Sequence, residues 1–294
     1  MIRPAVDGTL AVLKAASEAG TVKRVVLTSS IAAVYDSSIA IPKEKEETKT
    51  FDEESWTNVE DPLLDPYARS KTLAEKAAWD YVKDLPEEKK FELSVVNPGM
   101  VIGPLLNKRY TTSHGTVKRL FDRLTPAYPK LNLNLTDVRD VALAHYKCLT
   151  LPEAVGKRHL IVNHNLWFKD MAAILAKEFR PQGYHVPTLA APNVLVWISS
   201  FYDKGAKLVV PRLSRESKYD NKRVSVTSYR YTPFTHFSPF FLSYLFYTFS
   251  HFIHFPILSI SLFLPHSLLS SVSPIFSISS HSRLFIRSPK SLFM

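Results

Sequence analysis

The sequence predicts an α/β fold built on a parallel sheet, and three segments in order support this prediction. An apolar, β-branched strand at residues 23–29 is followed by a helix that begins at Pro66 and by a second apolar strand at residues 91–97. Strand, helix and strand in this order form a βαβ unit, and strands buried on both faces are expected to be continuously apolar. Both strands end in polar residues, at the edge where α/β proteins bind ligands.

Residues 1–20 precede the first strand and are predicted to form a helix. Leu10, Leu13 and Ser17 follow helical spacing. Gly20 is suited to end this helix because glycine readily adopts the left-handed conformation found at helix C-termini.

The helix that begins at Pro66 carries the two residues that indicate a function. Asp65 is a suitable N-cap, and proline suits the first turn because its fixed φ is already helical. Tyr67 and Lys71 are four residues apart, so they lie on one face of this helix. A cation one turn away favours the phenolate of a tyrosine, and this pairing suits acid/base chemistry on an alcohol or a carbonyl. An exposed tyrosine and lysine on an ordinary helix is the alternative interpretation.

Six short motifs follow one another along the chain with the spacing of one enzyme family. They are Pro-Ala-Val-Asp-Gly-Thr (4–9), Val-Lys-Arg-Val-Val-Leu-Thr-Ser-Ser (22–30), Phe-Asp-Glu-Glu-Ser-Trp (51–56), Tyr-Ala-Arg-Ser-Lys (67–71), Asn-Pro-Gly-Met-Val-Ile-Gly-Pro (97–104) and Asp-Val-Arg-Asp-Val-Ala (137–142). Together they resemble the extended short-chain dehydrogenase/reductases of the NAD-dependent epimerase/dehydratase superfamily. The branch that they resemble most contains dihydroflavonol reductases, cinnamoyl-CoA reductases and 3β-hydroxysteroid dehydrogenases.

This resemblance implies a Rossmann-type sheet and a Ser-Tyr-Lys catalytic site formed by Ser30, Tyr67 and Lys71. Tyr67 would act as the acid in carbonyl reduction and as the base in alcohol oxidation. Lys71 would lower the tyrosine pKa and bind the nicotinamide ribose, while Ser30 would polarise the substrate oxygen. The implied cofactor is NADP or NAD, with NADP preferred, and the implied substrate is a small carbonyl or alcohol. The implied cofactor contacts are Thr28, Ser29, Tyr67, Lys71, Asn97, Pro98, Gly99 and Val101.

One family motif is missing from the sequence. The turn Gly-x-x-Gly-x-x-Gly, which would hold the cofactor pyrophosphate, does not occur among the 8 glycines. The first strands of the nucleotide-binding sheet are also expected to be missing, which would leave strand 23–29 without one neighbour. We therefore expect an N-terminally truncated chain. An inactive remnant and a nucleotide-sugar epimerase or dehydratase remain as alternatives.

The family-like part of the chain is expected to divide into two regions. Residues 1–104 and 137–165 would form the partial Rossmann core, and residues 105–136 and 166–223 would form a small substrate lobe. The turn Pro98-Gly99 has no donor on its proline and accepts unusual backbone angles. A helix opened by Asp137 and Asp140 and a strand at 159–162 are predicted to return to the sheet. The lobe helices are predicted at 116–124, 168–180 and 193–204.

Residues 224–294 differ from the rest because they contain no acidic residue and are rich in Phe, Ser, His and Pro. They are expected to be a low-complexity hydrophobic tail, either disordered or an artefact of the gene model. The alternative is a membrane anchor within residues 237–264. The prolines that interrupt the apolar runs there argue against a helix that spans the bilayer.

Composition excludes several other classes of function. The net charge of +10 comes without a basic stripe or nucleic-acid motif, so no nucleic-acid partner is expected. Cys148 is the only cysteine, which excludes an intrachain disulfide and fits a cytoplasmic protein. The histidines have no metal-binding spacing, so no metal site is expected.

Overall fold

The computed structural model describes residues 1–37, 50–104, 112–122 and 127–220. Its helices are α1 (Ile2–Ala19), α2 (Pro66–Lys83), α3 (Thr112–Phe121), α4 (Val138–Thr150), α5 (Phe168–Phe179), α6 (Asn193–Ser199) and α7 (Lys204–Val209). Its strands are β1 (Arg24–Thr28), β2 (Thr50–Phe51), β3 (Glu92–Pro98), β4 (Met100–Ile102), β5 (Asn132–Asp137), β6 (Arg158–Ile161), β7 (His164–Trp167) and β8 (Lys218–Tyr219).

The predicted tail at 224–294 and the candidate anchor at 237–264 lie outside the described residues. Within the described ranges, no helix combines the length and the apolar character needed to cross a bilayer.

A parallel sheet with the strand order β1-β3-β6 confirms the predicted α/β class. Thr28 lies opposite Val96, and Pro98 lies opposite Ile161. The carboxyl ends of all three strands therefore meet at one edge of the sheet. In the part of the chain that the structure describes, β1 pairs with β3 alone and forms the outer strand of this sheet.

Helices cover both faces of this sheet because the strand side chains alternate between the faces. On β1, Val25 and Leu27 pack on the side of α1 and α2, while Val26 packs on the side of α4. On β3, Val95 and Val96 divide between the two sides in the same way. The result is a three-layer arrangement with the sheet in the middle.

The predicted signals at the helix ends are present. Gly20 follows α1 in the left-handed conformation, with a φ of 64°. The Oδ1 atom of Asp65 accepts a hydrogen bond of 2.7 Å from the backbone N–H of Tyr67 and so caps α2. The side chain of Asp137 caps α4 in the same manner, through the N–H of Arg139.

The prediction of one helix at 193–204 is wrong. α6 ends at Ser199, and α7 begins at Lys204. The side chain of Asp203 accepts a hydrogen bond of 2.7 Å from the N–H of Gly205, so this residue caps a new helix.

A second sheet joins β4, β5 and β7, which the sequence pattern did not indicate. β4 is parallel to β5, and β7 is antiparallel to it. The sheet packs with α3 and α5 in a core cluster that includes Leu120, Leu135 and Phe179. It combines residues from both sides of the predicted boundaries at 104 and 165, and those domain boundaries stay a prediction.

Gly99 lies between β3 and β4, where the backbone passes close to β5. A Cβ atom added here would be 2.5 Å from the backbone oxygen of Asn134 and 2.9 Å from Oγ1 of Thr136. The φ of Gly99 lies outside the left-handed region, so this glycine is not required by a left-handed backbone. Close approach of two backbone segments is the reason for this glycine.

We predict that Gly99→Ala lowers the free energy of unfolding by about 1–3 kcal/mol, because the methyl group would overlap the backbone of β5. Guanidinium chloride denaturation measures this change. Gly8→Ala is the matched control, because Gly8 is exposed on α1 and an added Cβ would have nothing within 4 Å. The control should gain about 0.5–1 kcal/mol. Equal stability of both variants would contradict the close approach.

Cys148 is buried in the core between α4 and the first sheet, as expected for a lone cysteine. Burial raises the pKa of its thiol to about 11, and the positive charge of Arg24 opposes this shift. The thiolate is therefore scarce in the folded protein at neutral pH.

We predict that iodoacetamide labels Cys148 slowly at pH 8 in the folded protein and rapidly after unfolding. Since the folded pKa is raised, the contribution of the protonated thiol to stability is present below about pH 9 and is lost between about pH 9 and pH 11. The free energy of unfolding should therefore fall more between pH 8 and pH 10.5 in the wild-type protein than in Cys148→Ala. Equal decreases would contradict the shift.

Candidate active site

α2 presents Tyr67, Lys71 and Glu75 on one face, since each follows the previous one by four residues. Tyr67 is 46% exposed in the first turn, Lys71 is partly buried, and Glu75 is only 1% exposed. The face therefore runs from a solvent-accessible phenol to a buried carboxylate. Tyr67 is open to a ligand, while Glu75 is enclosed by protein.

Ser30 lies just beyond the carboxyl end of β1 and is buried. Its Oγ accepts a hydrogen bond of 3.2 Å from the N–H of Ala32 and so caps a short 3-10 helix at Ile31–Ala33. Ala32 packs against Ala68 of α2, so the turn after Ser30 contacts the helix that carries Tyr67. Because the hydroxyl accepts this bond, its proton can be donated to a ligand.

Glu75 connects α2 to all three strands of the first sheet. Oε2 accepts hydrogen bonds from Ser29 Oγ at 2.5 Å and from Asn97 Nδ2 at 2.8 Å. Oε1 accepts a hydrogen bond from Arg158 Nε at 2.6 Å. Ser29 directly follows β1, Asn97 belongs to β3, and Arg158 begins β6. The strand ends and the Tyr67 helix are thus held by one side chain.

Arg158 extends this network to residues 53–56. Its Nη1 donates hydrogen bonds to the backbone oxygens of Glu53 at 2.9 Å and Ser55 at 2.6 Å. Its guanidinium carbon lies 3.7 Å from the ring centroid of Trp56. A planar guanidinium can stack and donate hydrogen bonds at once, which explains the choice of arginine over lysine.

Sequence reasoning missed Glu75 and Arg158. A charged residue one turn beyond Lys71, on the face that carries Tyr67, was a usable signal for Glu75. Arg158 gave no local signal, because its partner is 83 residues away in the sequence.

Thr28 is exposed, and its hydroxyl bonds to a histidine of α4. Thr28 Oγ1 lies 2.7 Å from Nε2 of His145, whose Nδ1 lies 2.8 Å from the backbone oxygen of Val141. Since that oxygen only accepts, Nδ1 is assigned the proton and Nε2 accepts from Thr28. The roles of Thr28 and Ser29 as cofactor contacts stay predictions.

Asn97 lies at the end of β3 with its side chain buried between Glu75 and Ser30. Nδ2 donates to Glu75 and, at 3.2 Å, to the backbone oxygen of Ser30. Oδ1 is buried, and no described residue donates a hydrogen bond to it. Pro98 completes this strand, and Val101 lies partly buried in β4. A buried acceptor of this kind is uncommon.

Burial lowers the pKa of Lys71, and the negative charge of Glu75 opposes this shift. Where Lys71 is an ammonium, its charge favours the phenolate form of a nearby tyrosine. Lys71 is therefore a partly buried amine on the face of α2 that also carries Tyr67.

The start of α2 is also held by Arg212, from the later part of the chain. Nη2 of Arg212 donates to Asp65 Oδ2 at 2.8 Å and to Asp36 Oδ2 at 2.9 Å. Asp65 therefore caps the helix with one oxygen and binds Arg212 with the other. Sequence reasoning found the cap and missed the ion pair, whose partners are 147 residues apart.

Comparison with solved structures decides the family. The crystal structure of the yeast methylglyoxal/isovaleraldehyde reductase Gre2, complexed with NADPH, matches with a TM-score of 0.66 and 30% sequence identity. The match covers 84% of this chain and 71% of that chain. The chain belongs to the extended short-chain dehydrogenase/reductases. This membership confirms the resemblance and the Rossmann-type fold class predicted from the motifs.

Sequence comparisons agree with this membership of the extended short-chain dehydrogenase/reductases. An NAD-binding family model described as "Male sterility protein" matches residues 1–130. The NADPH-dependent methylglyoxal reductase GRE2 of Saccharomyces cerevisiae is 37% identical over 193 residues, which cover 61% of this chain and 55% of the relative. Cinnamoyl-CoA reductase 1 of Arabidopsis thaliana is 37% identical over 190 residues, covering 64% of this chain and 52% of the relative. The chain thus spans about half the length of these relatives.

We predict that Arg158→Met lowers the free energy of unfolding by about 3–5 kcal/mol, because it leaves the carboxylate of Glu75 buried without its ionic partner. Chemical denaturation measures this loss. Lys14→Met is the control, since it breaks an exposed ion pair with Glu18 on α1, and exposed pairs contribute little. Similar losses in the two variants would argue against a strong buried pair.

Proposed function

We propose that this chain carries the proton-transfer site of an NADPH-dependent oxidoreductase that reduces the carbonyl group of a small organic substrate or oxidises the corresponding alcohol. The main support is α2, which carries Tyr67 and Lys71 on one face and is bonded through Glu75 to Ser29, Asn97 and Arg158 of the first sheet, next to Ser30. Family membership adds to this support. Two of the relatives are named as reductases of methylglyoxal and of cinnamoyl-CoA.

In this proposal, Tyr67 donates its phenolic proton to the substrate oxygen during reduction and removes that proton during oxidation. Lys71 stabilises the resulting phenolate through its positive charge. Ser30 donates a hydrogen bond to the same oxygen and polarises the carbonyl. The exposure of Tyr67 leaves its hydroxyl accessible to a substrate. Bound NADPH supplies the hydride.

The nicotinamide ribose of such a cofactor would be held by accessible polar groups. Thr28 and Tyr67 are exposed and Lys71 is partly buried, so their hydroxyl and amine groups are available at the end of β1 and the start of α2. The sequence has no Gly-x-x-Gly-x-x-Gly turn, so no residue of this chain is assigned to the pyrophosphate. The proposed contacts of the nicotinamide and its ribose are Thr28, Ser29, Tyr67, Lys71, Asn97, Pro98, Gly99 and Val101.

We predict that Tyr67→Phe lowers kcat for NADPH-dependent reduction of a small aldehyde or ketone by about 100- to 10,000-fold, because the proton donor is lost. NADPH consumption by the purified full chain measures the rate. Tyr81→Phe is the control, because it removes a hydroxyl from the same helix, on a residue that packs in the core between α1, α2 and the sheet. The control should keep the wild-type rate.

Three other outcomes would change the proposal. Equal rates in Tyr67→Phe and the wild-type protein would reject the proton-transfer role. Absence of saturable NADPH binding to the wild-type chain would favour the inactive remnant. Turnover of a nucleotide sugar without reduction of simple carbonyls would favour the epimerase or dehydratase alternative.

A further inference from the structure

Glu75 is a buried ionisable group that takes no part in the proposed proton transfer. Its side chain is fully enclosed, and it stands one helical turn beyond Lys71 on the same face of α2. The other charged group at its carboxylate is Arg158 of β6, while β1 and β3 present the neutral Ser29 and Asn97. The charge of Glu75 therefore acts on two cations, Lys71 on α2 and Arg158 on β6.

The hydrogen-bond pattern around Glu75 requires an acceptor. The Asn97 amide nitrogen and the Arg158 guanidinium can only donate, and each points at a different carboxylate oxygen. A glutamine could satisfy one of these donors with its oxygen, but its own amide group would face the other. The site thus selects a carboxylate and fixes its negative charge in position.

This fixed charge acts on Lys71. Burial lowers the pKa of the lysine and so favours the neutral amine, whereas Glu75 shifts the pKa in the opposite direction. A neutral amine would give Tyr67 no electrostatic help in forming a phenolate.

We infer that Glu75 is a positioning residue whose carboxylate, held by bonds to all three strands of the first sheet, stabilises the ammonium form of Lys71, one helical turn away on the face of α2 that also carries Tyr67. This inference rests on the proposed function for its link to Tyr67. Its effect on Lys71 is a property of the protein without cofactor or substrate, so it is tested separately from activity.

The test compares Arg158→Met with the double variant Glu75→Gln/Arg158→Met. The double variant removes both charges, and its glutamine oxygen can still accept hydrogen bonds from Ser29 and Asn97. Replacing both partners of a buried ion pair by neutral groups is often tolerated. The single variant keeps Glu75, so the difference between the two variants isolates the charge of this residue. Glu75→Gln alone, compared with the wild-type protein, is the second pair if Arg158→Met does not fold.

The measurement is labelling of Lys71 by acetic anhydride as a function of pH, followed by mass spectrometry of its peptide. Lys76 and Lys83 on the same helix serve as internal references. We expect the labelling midpoint of Lys71 to lie about one pH unit lower in the variants without Glu75, which corresponds to about tenfold faster labelling at a fixed lower pH. An unchanged midpoint in folded protein would overturn the inference and leave Glu75 a purely structural link.

Activity measurements then separate this inference from the proposed function. In an active chain, the pH at which alcohol oxidation rises should move upward in Glu75→Gln/Arg158→Met relative to Arg158→Met, because the ammonium form of Lys71 is less populated at high pH. A lower Lys71 midpoint in an inactive chain would support the inference while rejecting the proposed function. An unchanged midpoint, with activity that depends on Tyr67, would reject the inference while supporting the proposed function.

Discussion

One buried carboxylate, that of Glu75, joins α2 to all three strands of the first sheet. Each of its hydrogen bonds is to a side chain at a different strand, and every donor is itself buried. A hydrophobic contact could slide by a fraction of a residue, but hydrogen bonds to a fixed carboxylate cannot do so without loss. The register of α2 over the strand ends therefore depends on this group, and with it the place of Tyr67.

The local features of the fold could be predicted from the sequence. The start of α2 followed from Asp65 and Pro66, and the end of α1 followed from Gly20, because capping depends on residues next to one another in the chain. The strands β1 and β3 were visible as continuous apolar runs. Their parallel pairing followed from the helix between them.

Features that depend on distant residues could not be predicted. Strands β4 and β7 are three and four residues long and lack a clear alternation, so they are defined by their pairing with β5 alone. The break between α6 and α7 depends on the side-chain cap of Asp203, which competes with an otherwise continuous helical pattern. Arg158 and Arg212 find their partners only after the chain has folded. The placement of Ser30, Tyr67 and Lys71 as a catalytic set stays a prediction.

Arg212 also has a consequence for how this protein can vary. Asp36 follows the turn after Ser30, and Asp65 is the N-cap of α2. The guanidinium of Arg212 binds both, and so it joins the two ends of segment 36–65. The entropy of closing a loop changes only slowly with its length. Changes in length between the two aspartates, away from the bonded residues 53–57, should therefore cost little free energy, because Arg212 keeps the start of α2 in place.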